Sequence, residues 1–260
     1  MIEISKKITT NIGRTNAKFG LIKENDRIMI GFSGGKDSLT LLNTLNRMQK
    51  KAPFKFDFKA VTITYGMGEQ IEFLSNHCKE HGIEHEIIDT QIFDLAGEKI
   101  RKNSSFCSFF SRMRRGYLYT TALEQGYNKV ALGHHLDDAM ESYFMNLFYN
   151  GTMRTMPPIY KANNGLEVIR PLIFCRERQL RAFADSNEIR VIGDEACPGL
   201  RFDVKMPHAR AATKELLAKL EEQNPKIFVS MKAAFSNIQL PTFFYKDLKD
   251  IKLNIEDETI

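Results

Sequence analysis

The chain is predicted to fold as an α/β domain built on a doubly wound, mostly parallel sheet, with a small helical segment at its C-terminal end. Three observations lead there. Short apolar runs alternate along the chain with stretches of helical apolar spacing, the pattern that lays helices on both faces of parallel strands. The first run, Arg27-Ile28-Met29-Ile30-Gly31-Phe32, passes through a glycine-rich turn into a helical stretch. Beyond Pro198-Gly199 the strand pattern stops, and residues 208–237 carry helical spacing broken at Asn224-Pro225.

The elements follow in order. Ile4, Ile8, Ile12 and Phe19 predict an amphipathic N-terminal helix within residues 1–20. Residues 21–200 form the main domain and 201–260 the C-terminal helical segment and tail. Asn25-Asp26 breaks the first pattern before the strand at Arg27, and the leucines from Leu39 to Met48 predict the next helix. Strands are expected at Phe58–Thr64, His85–Asp89, Lys129–Gly133, Leu166–Arg170 and Arg190–Ile192, with helices over Glu69–His81, Phe109–Gln125, Asp137–Tyr149 and Glu177–Asn187. Gly126 ends one of these helices. Asn150-Gly151 and Met156-Pro157-Pro158 read as loop, and the charged tail Asp247–Ile260 is expected to fray.

Composition narrows the class. The 43% apolar and 27% charged residues suit a folded chain rather than a disordered one. Met1–Phe19 lacks the continuous apolar core of a signal peptide, and no run approaches the roughly 20 apolar residues of a membrane span, so a cytoplasmic protein without a membrane partner is expected. Four cysteines are too few for a disulfide framework. The net charge of +5 decides little by itself, but arginines gather in two groups, Arg112, Arg114 and Arg115, then Arg170, Arg176, Arg178 and Arg181. Such groups are solvated faces or, beside an active site, seats for a polyanion.

Ser33-Gly34-Gly35-Lys36-Asp37-Ser38 lies where backbone N–H groups and a helix start face an anion. The two glycines permit close approach, Ser33 and Ser38 offer hydroxyls, Lys36 adds positive charge, and Asp37 can hold magnesium. The spacing is neither GxxxxGK[ST] nor GxGxxG. A second motif, Gly133-His134-His135-Leu136-Asp137-Asp138, follows a later strand at the same carboxyl edge. Adjacent aspartates also serve as ordinary helix caps; Asp138 is taken as the magnesium or catalytic carboxylate. Cys78 and Cys175 read as structural. His77 and His81 are four apart on a helix, with His85 nearby, but zinc would want more ligands, and solvated histidines are expected.

The SGGKDS turn resembles the signature of the PP-loop ATP pyrophosphatase superfamily. The resemblance implies ATP and Mg2+, cleavage to AMP and pyrophosphate, and attack of a carbonyl oxygen on the α-phosphate. It also implies an adenine seat at Thr62-Ile63-Thr64, with Thr62 and Thr64 among the nucleotide-binding residues, and backbone contacts near Gly133. Cys107 through Gly116 (CSFFSRMRRG), together with the GHHLDD motif, Met156-Pro157-Pro158 and Ile169-Arg170-Pro171-Leu172, is similar to the tRNA 2-thiocytidine synthetase family within that superfamily, over about residues 5–240. The related tRNA(Ile)-lysidine synthetases do not ordinarily carry the SRxRRG stretch behind a cysteine. The implied partners are tRNA and a sulfur donor, and a homodimer is the expected assembly. Arg115 joins Asp37, Asp138, Cys107 and Cys197 as the expected catalytic set.

The chain departs from that family at the sulfur site. Family members carry CxxC before SRxRRG and a further cysteine pair after the last strand, and three of these thiolates hold a [4Fe-4S] cluster. Here Cys107 matches, but Phe110 fills the second position, and Asp194-Glu195-Ala196-Cys197 has one cysteine where two are expected. Phenylalanine cannot ligate iron. Three readings stay open: a cluster on Cys107, Cys197 and Asp194; a persulfide on one cysteine resolved by the other; or a nucleophile other than sulfur.

Overall fold

A computed structural model of the chain describes residues 2–99, 106–193, 196, 198 and 208–243. Strands β1 (Arg27–Gly31), β2 (Asp57–Ile63), β3 (His85–Ile88), β4 (Lys129–Ala131), β5 (Ile159–Lys161) and β6 (Glu167–Ile169) form one sheet. Their order is β3-β2-β1-β4-β6-β5. Every neighbouring pair is parallel except the antiparallel β5–β6 edge. The expected doubly wound α/β sheet is the one found.

Helices α1 (Lys6–Phe19), α2 (Lys36–Gln49), α3 (Glu72–Glu80), α4 (Ile92–Lys99), α5 (Phe106–Glu124), α6 (Leu136–Tyr149) and α7 (Glu177–Ser186) flank the sheet, and α8 (His208–Gln223) and α9 (Ile227–Ala234) follow it. Ile8 and Ile12 of α1 join Ile28 and Ile30 of β1 and Leu41, Leu42 and Leu45 of α2 in one buried cluster. Met29, Val61 and Val130 point the other way, toward Phe110, Leu118 and Ala122 of α5. Alternation along β1 thus feeds two cores, as a sheet covered on both faces requires. A smaller cluster joins Leu136 and Met140 of α6 to Leu217 and Phe228 of the C-terminal helices.

Several elements differ from the sequence-based expectation. Arg190–Ile192 is not a strand: the Ile192 N–H donates to the Gly34 carbonyl at 2.9 Å instead of joining a ladder. Helix α3 starts at Glu72 rather than Glu69, because the Glu69 carboxylate accepts the N–H groups of Tyr65 and Met67 and closes a turn there. Strand β5 and helix α4 lie where no element was expected. The β5–β6 hairpin closes over Asn164-Gly165, with Gly165 at φ +87°, and Asn-Gly is a strong hairpin signal. The tail Asp247–Ile260 lies outside the described residues.

Lys129 on β4 is 1% exposed, yet carries a charge. Its ammonium meets Asp26 at 2.9 Å and Glu167 at 3.1 Å and donates to the Leu21 carbonyl at 2.8 Å. This ties the start of β1 to β4 and β6 below the site. Removing one partner of a buried pair strands the other, so Lys129→Ala should cost about 3 kcal/mol in urea unfolding. Lys129→Met, which keeps the apolar stem, should cost less. Wild-type stability in the alanine variant would contradict this role.

Candidate active site

The turn between β1 and α2 is held from within. The Ser33 N–H donates to Ser38 Oγ at 3.2 Å, and Ser38 Oγ donates to the Gly35 carbonyl at 3.0 Å and lies 3.1 Å from Ser33 Oγ. Both hydroxyls therefore shape the loop. Gly34 sits at φ +80°, and a Cβ there would lie 2.6 Å from Ile192 Cδ1. A Cβ on Gly133 would come within 3.1 Å of the backbone of Asp37 and Ser38. Glycine two residues beyond β4 is thus what lets the chain leaving that strand lie against the first turn of α2. No side chain caps this helix, so its N-terminal amides are left for an anion.

A cavity of about 420 Å3 opens beside this turn. Ser33, Asp37 and Ser38 lie on one side of it, Gly133, His134 and Asp138 follow β4, and Arg114 and Arg115 come from α5. The sequence-predicted Asp37, Ser33, Ser38, Gly133, Asp138 and Arg115 thus converge on one space. Gly34, Gly35 and Lys36 build the turn without lining the cavity.

His135 caps α6. Its Nδ1 accepts the Asp138 N–H at 3.4 Å, and the Asp138 carboxylate accepts the His135 N–H at 3.0 Å. The His135 Nε2 faces Asp138 Oδ2 at 3.4 Å and Asp37 Oδ1 at 3.8 Å. Asp37 Oδ1 is buried without a hydrogen-bond partner. Burial raises the Asp37 carboxyl above its ordinary value, and this outweighs the pull of His135 and Lys36. Burial also acts on Asp138, but His135, His134 and Arg210 hold its carboxyl below the usual range. Of the adjacent aspartates, Asp137 is structural: it accepts Arg176 Nε at 3.0 Å and the Glu177 N–H at 2.7 Å.

Lys36 reaches 3.3 Å from Asp37 Oδ2 and 3.2 Å from Glu177 Oε1. Burial would raise the Glu177 carboxyl, but Lys214 and Lys36 together pull it down to about 2. The turn's lysine is therefore bound to α7 and, through Glu177, to Lys214 of α8 at 2.8 Å.

Helix α5 supplies the cavity wall through one face, Phe110, Arg114 and Leu118, with Ser111 and Arg115 beside it. Arg114 lies 4.9 Å over the Tyr65 ring and donates to its hydroxyl at 2.8 Å. Arg112 is exposed outside the cavity lining. The second arginine group divides. Arg170 is buried, donating to the Pro157 carbonyl at 2.6 Å and to His134 Nδ1 at 3.3 Å. Burial and Arg170 together push His134 down to about 4. Arg176 forms two 2.7 Å bonds to Glu221, while Arg178 and Arg181 are exposed.

Some sequence-predicted positions lie elsewhere. The Thr62 and Thr64 hydroxyls do not face the cavity, because alternation along the second strand turns Val61, Ile63 and Tyr65 toward it. Thr62 donates to the Phe32 carbonyl at 2.7 Å, and Thr64 accepts the Thr90 N–H at 3.0 Å. The histidines are half-buried and bonded rather than solvated: His77 meets Asn43 at 3.1 Å, and His85 bridges Thr62 and Ser75. Among the described residues, no group of three His, Cys, Asp or Glu side chains stands ready for a metal. Cys78 and Cys175 are buried, and burial pushes both thiols up to about 12. Cys107 falls in α5, but its side chain lies outside the described residues, as do Asp194 and Cys197. Arg210 and Tyr65 line the cavity without having been singled out in the sequence.

The unpartnered Asp37 oxygen suits Mg2+, which takes one or two carboxylates and completes its shell with phosphates and water. A three-thiolate iron–sulfur cluster does not fit. Phe110 is 2% exposed, packed against Tyr65 at 5.5 Å and Phe109 at 5.7 Å, and two of the four cysteines are buried in the cores.

A profile of the PP-loop domain matches residues 4–205. The tRNA-cytidine(32) 2-sulfurtransferase of Geobacter metallireducens is 43% identical over 237 residues, 90% of each chain. That of Pseudomonas syringae pv. syringae is 37% identical over 99% of this chain and 93% of its own. The U34-tRNA thiolase NcsA from Methanococcus maripaludis, solved with its [4Fe-4S] cluster, shares the fold at a TM-score of 0.69 and 23% identity, over 90% of this chain and 79% of that one. A profile match over residues 4–205 and 37–43% identity to relatives along most of the chain agree: the protein belongs to the PP-loop family, and within it to the tRNA-cytidine(32) 2-sulfurtransferases.

Proposed function

We propose that the protein uses ATP to activate the 2-carbonyl of a tRNA cytidine, position 32 in the names of its relatives, and replaces the oxygen with sulfur. The observation that carries this reading is the convergence of the SGGKDS turn, Asp37 and the Arg114–Arg115 face of α5 on one cavity. The amides of the turn and the start of α2 would cradle phosphates, and Asp37 and Asp138 would hold Mg2+, which offsets phosphate charge when bound. A base splayed from a single-stranded loop can enter such a space, with arginines meeting the RNA backbone. The cytidine oxygen attacks the α-phosphorus and expels pyrophosphate. The oxygen later leaves on AMP, when sulfur attacks C2.

Because the residues present do not fit a three-thiolate cluster, the reading assigns sulfur delivery to the two remaining cysteines, Cys107 and Cys197. A persulfide on one attacks C2 and expels AMP. The other thiolate then attacks the bound cysteine sulfur, forming a disulfide and leaving the outer sulfur on the base. A thiol reductant must then reopen the disulfide, and a donor of sulfane sulfur, itself a persulfide, must restore the cysteine persulfide.

Deleting the gene should remove 2-thiocytidine from tRNA digests read by mass spectrometry, and wild-type protein should restore it. Cys107→Ser and Cys197→Ser should fail to restore it while the purified variants still release pyrophosphate with tRNA. Unchanged 2-thiocytidine after deletion would overturn the assignment; thiolation by either serine variant would overturn the relay.

Asp37 ties function to stability. Its carboxyl is raised in the folded protein, so as pH climbs the unfolded chain ionises first and the fold loses stability. Asp37→Asn should therefore stabilise the nucleotide-free protein at pH 7, a gain that vanishes below about pH 4, where the carboxyl is protonated in both states, while abolishing Mg2+-dependent nucleotide binding. Denaturant unfolding at both pH values checks this, and a loss of stability at pH 7 would contradict it.

A further inference from the structure

Arg210 reaches the cavity from α8, an element outside the alternating strands and helices. Its guanidinium is split between two carboxylates. Nη2 lies 2.5 Å from Asp138 Oδ1, and Nε lies 2.8 Å from Glu141 Oε2. Nη1 has no partner among the described residues. The side chain is 58% exposed, whereas those of Asp138 and Glu141 are 14% and 6% exposed. A solvent-reaching cation therefore rests on two fixed, buried anions.

Two of the other cations near the turn are already engaged. Lys36 is held by Glu177 and Asp37, and Arg114 by the Tyr65 ring and hydroxyl. Arg115 donates through Nε to the Ser111 carbonyl at 3.3 Å. Arg210 contacts Asp138, whose Oδ2 lies 3.4 Å from His135 Nε2, which in turn approaches Asp37 of the turn at 3.8 Å. A polyphosphate seated in that turn brings several negative charges beside two carboxylates and needs a nearby cation. A guanidinium fork matches phosphate oxygens in pairs, which an ammonium does not.

We propose that Arg210 is the polyphosphate-binding arginine of this cavity, resting on Asp138 and Glu141 until a nucleoside triphosphate enters and then gripping its outer phosphates. This rests on the nucleotide reading of the site. The move frees Asp138 Oδ1, and because Arg210 belongs to α8, it makes that helix responsive to whether triphosphate or only AMP occupies the cavity.

The test is calorimetric titration of the full chain and its Arg210→Ala and Arg210→Lys variants with MgATP, pyrophosphate and AMP. Arg210→Ala should weaken MgATP and pyrophosphate binding by about 10- to 100-fold and AMP by less than about 3-fold, as loss of a charge-assisted contact to the outer phosphates alone would. Arg210→Lys should fall between, because it keeps the charge and loses the fork, and it carries the same comparison if the alanine variant does not fold. Wild-type affinity for MgATP in the variants, or equal weakening of MgATP and AMP, would overturn the proposal and leave the site reading intact. A wild-type protein that binds neither nucleotide would overturn both.

Discussion

A buried carboxylate oxygen without a partner, Oδ1 of Asp37, stands at the start of α2, and the chemistry of the site is organised around it. In the protein alone it is a cost, because a desolvated acceptor lacks the hydrogen bonds water would give. The cost is sustained by neighbours that over-determine its place. Gly133 lets the chain leaving β4 press against the same helical turn, His135 aims its Nε2 at both Asp37 and Asp138, and Ile192 packs over Gly34. An unsatisfied oxygen at a helix start, where an anion is also favoured, supports the proposed pairing of magnesium with a nucleotide phosphate.

The C-terminal helices complete the charge balance rather than decorate the sheet. Lys214 binds Glu177, which holds Lys36 of the turn; Glu221 takes both arms of Arg176, which also holds Asp137; and Arg210 covers Asp138 and Glu141. Three links of alternating sign thus run from α8 to the carboxyl edge of the sheet. Lys214 and Arg210 are more than half exposed, so of the three links the Arg176–Glu221 pair, 14% and 21% exposed, is the one least screened by salt. Apolar contacts of Leu217 and Phe228 with Leu136 and Met140 keep the helix in register with α6.

Much of this was legible in the sequence, for identifiable reasons. The β1–turn–α2 unit combines an apolar run, two glycines and a leucine-spaced helix within a few residues, so local signals agree. The carboxyl-edge position of Asp138 followed from the same logic. Arg210 was illegible because its role depends on where α8 lands, which no local pattern encodes. Thr62 and Thr64 lie on the strand beside the cavity but on its other face: which of two alternating sets faces the cavity is fixed by the packing of α5 against Val61 and Ile63. Arg190–Ile192 has strand propensity, but its backbone bonds to the phosphate turn instead. The β5 hairpin was announced by Asn164-Gly165, hidden behind the preceding prolines.

The proposed chemistry transfers the cytidine oxygen to the α-phosphate. The most direct measurement is mass analysis of the AMP formed when the protein acts on tRNA carrying 18O at the cytidine 2-oxygen. The label should appear in AMP in step with thiolation. Unlabelled AMP, or ADP in its place, would contradict the account.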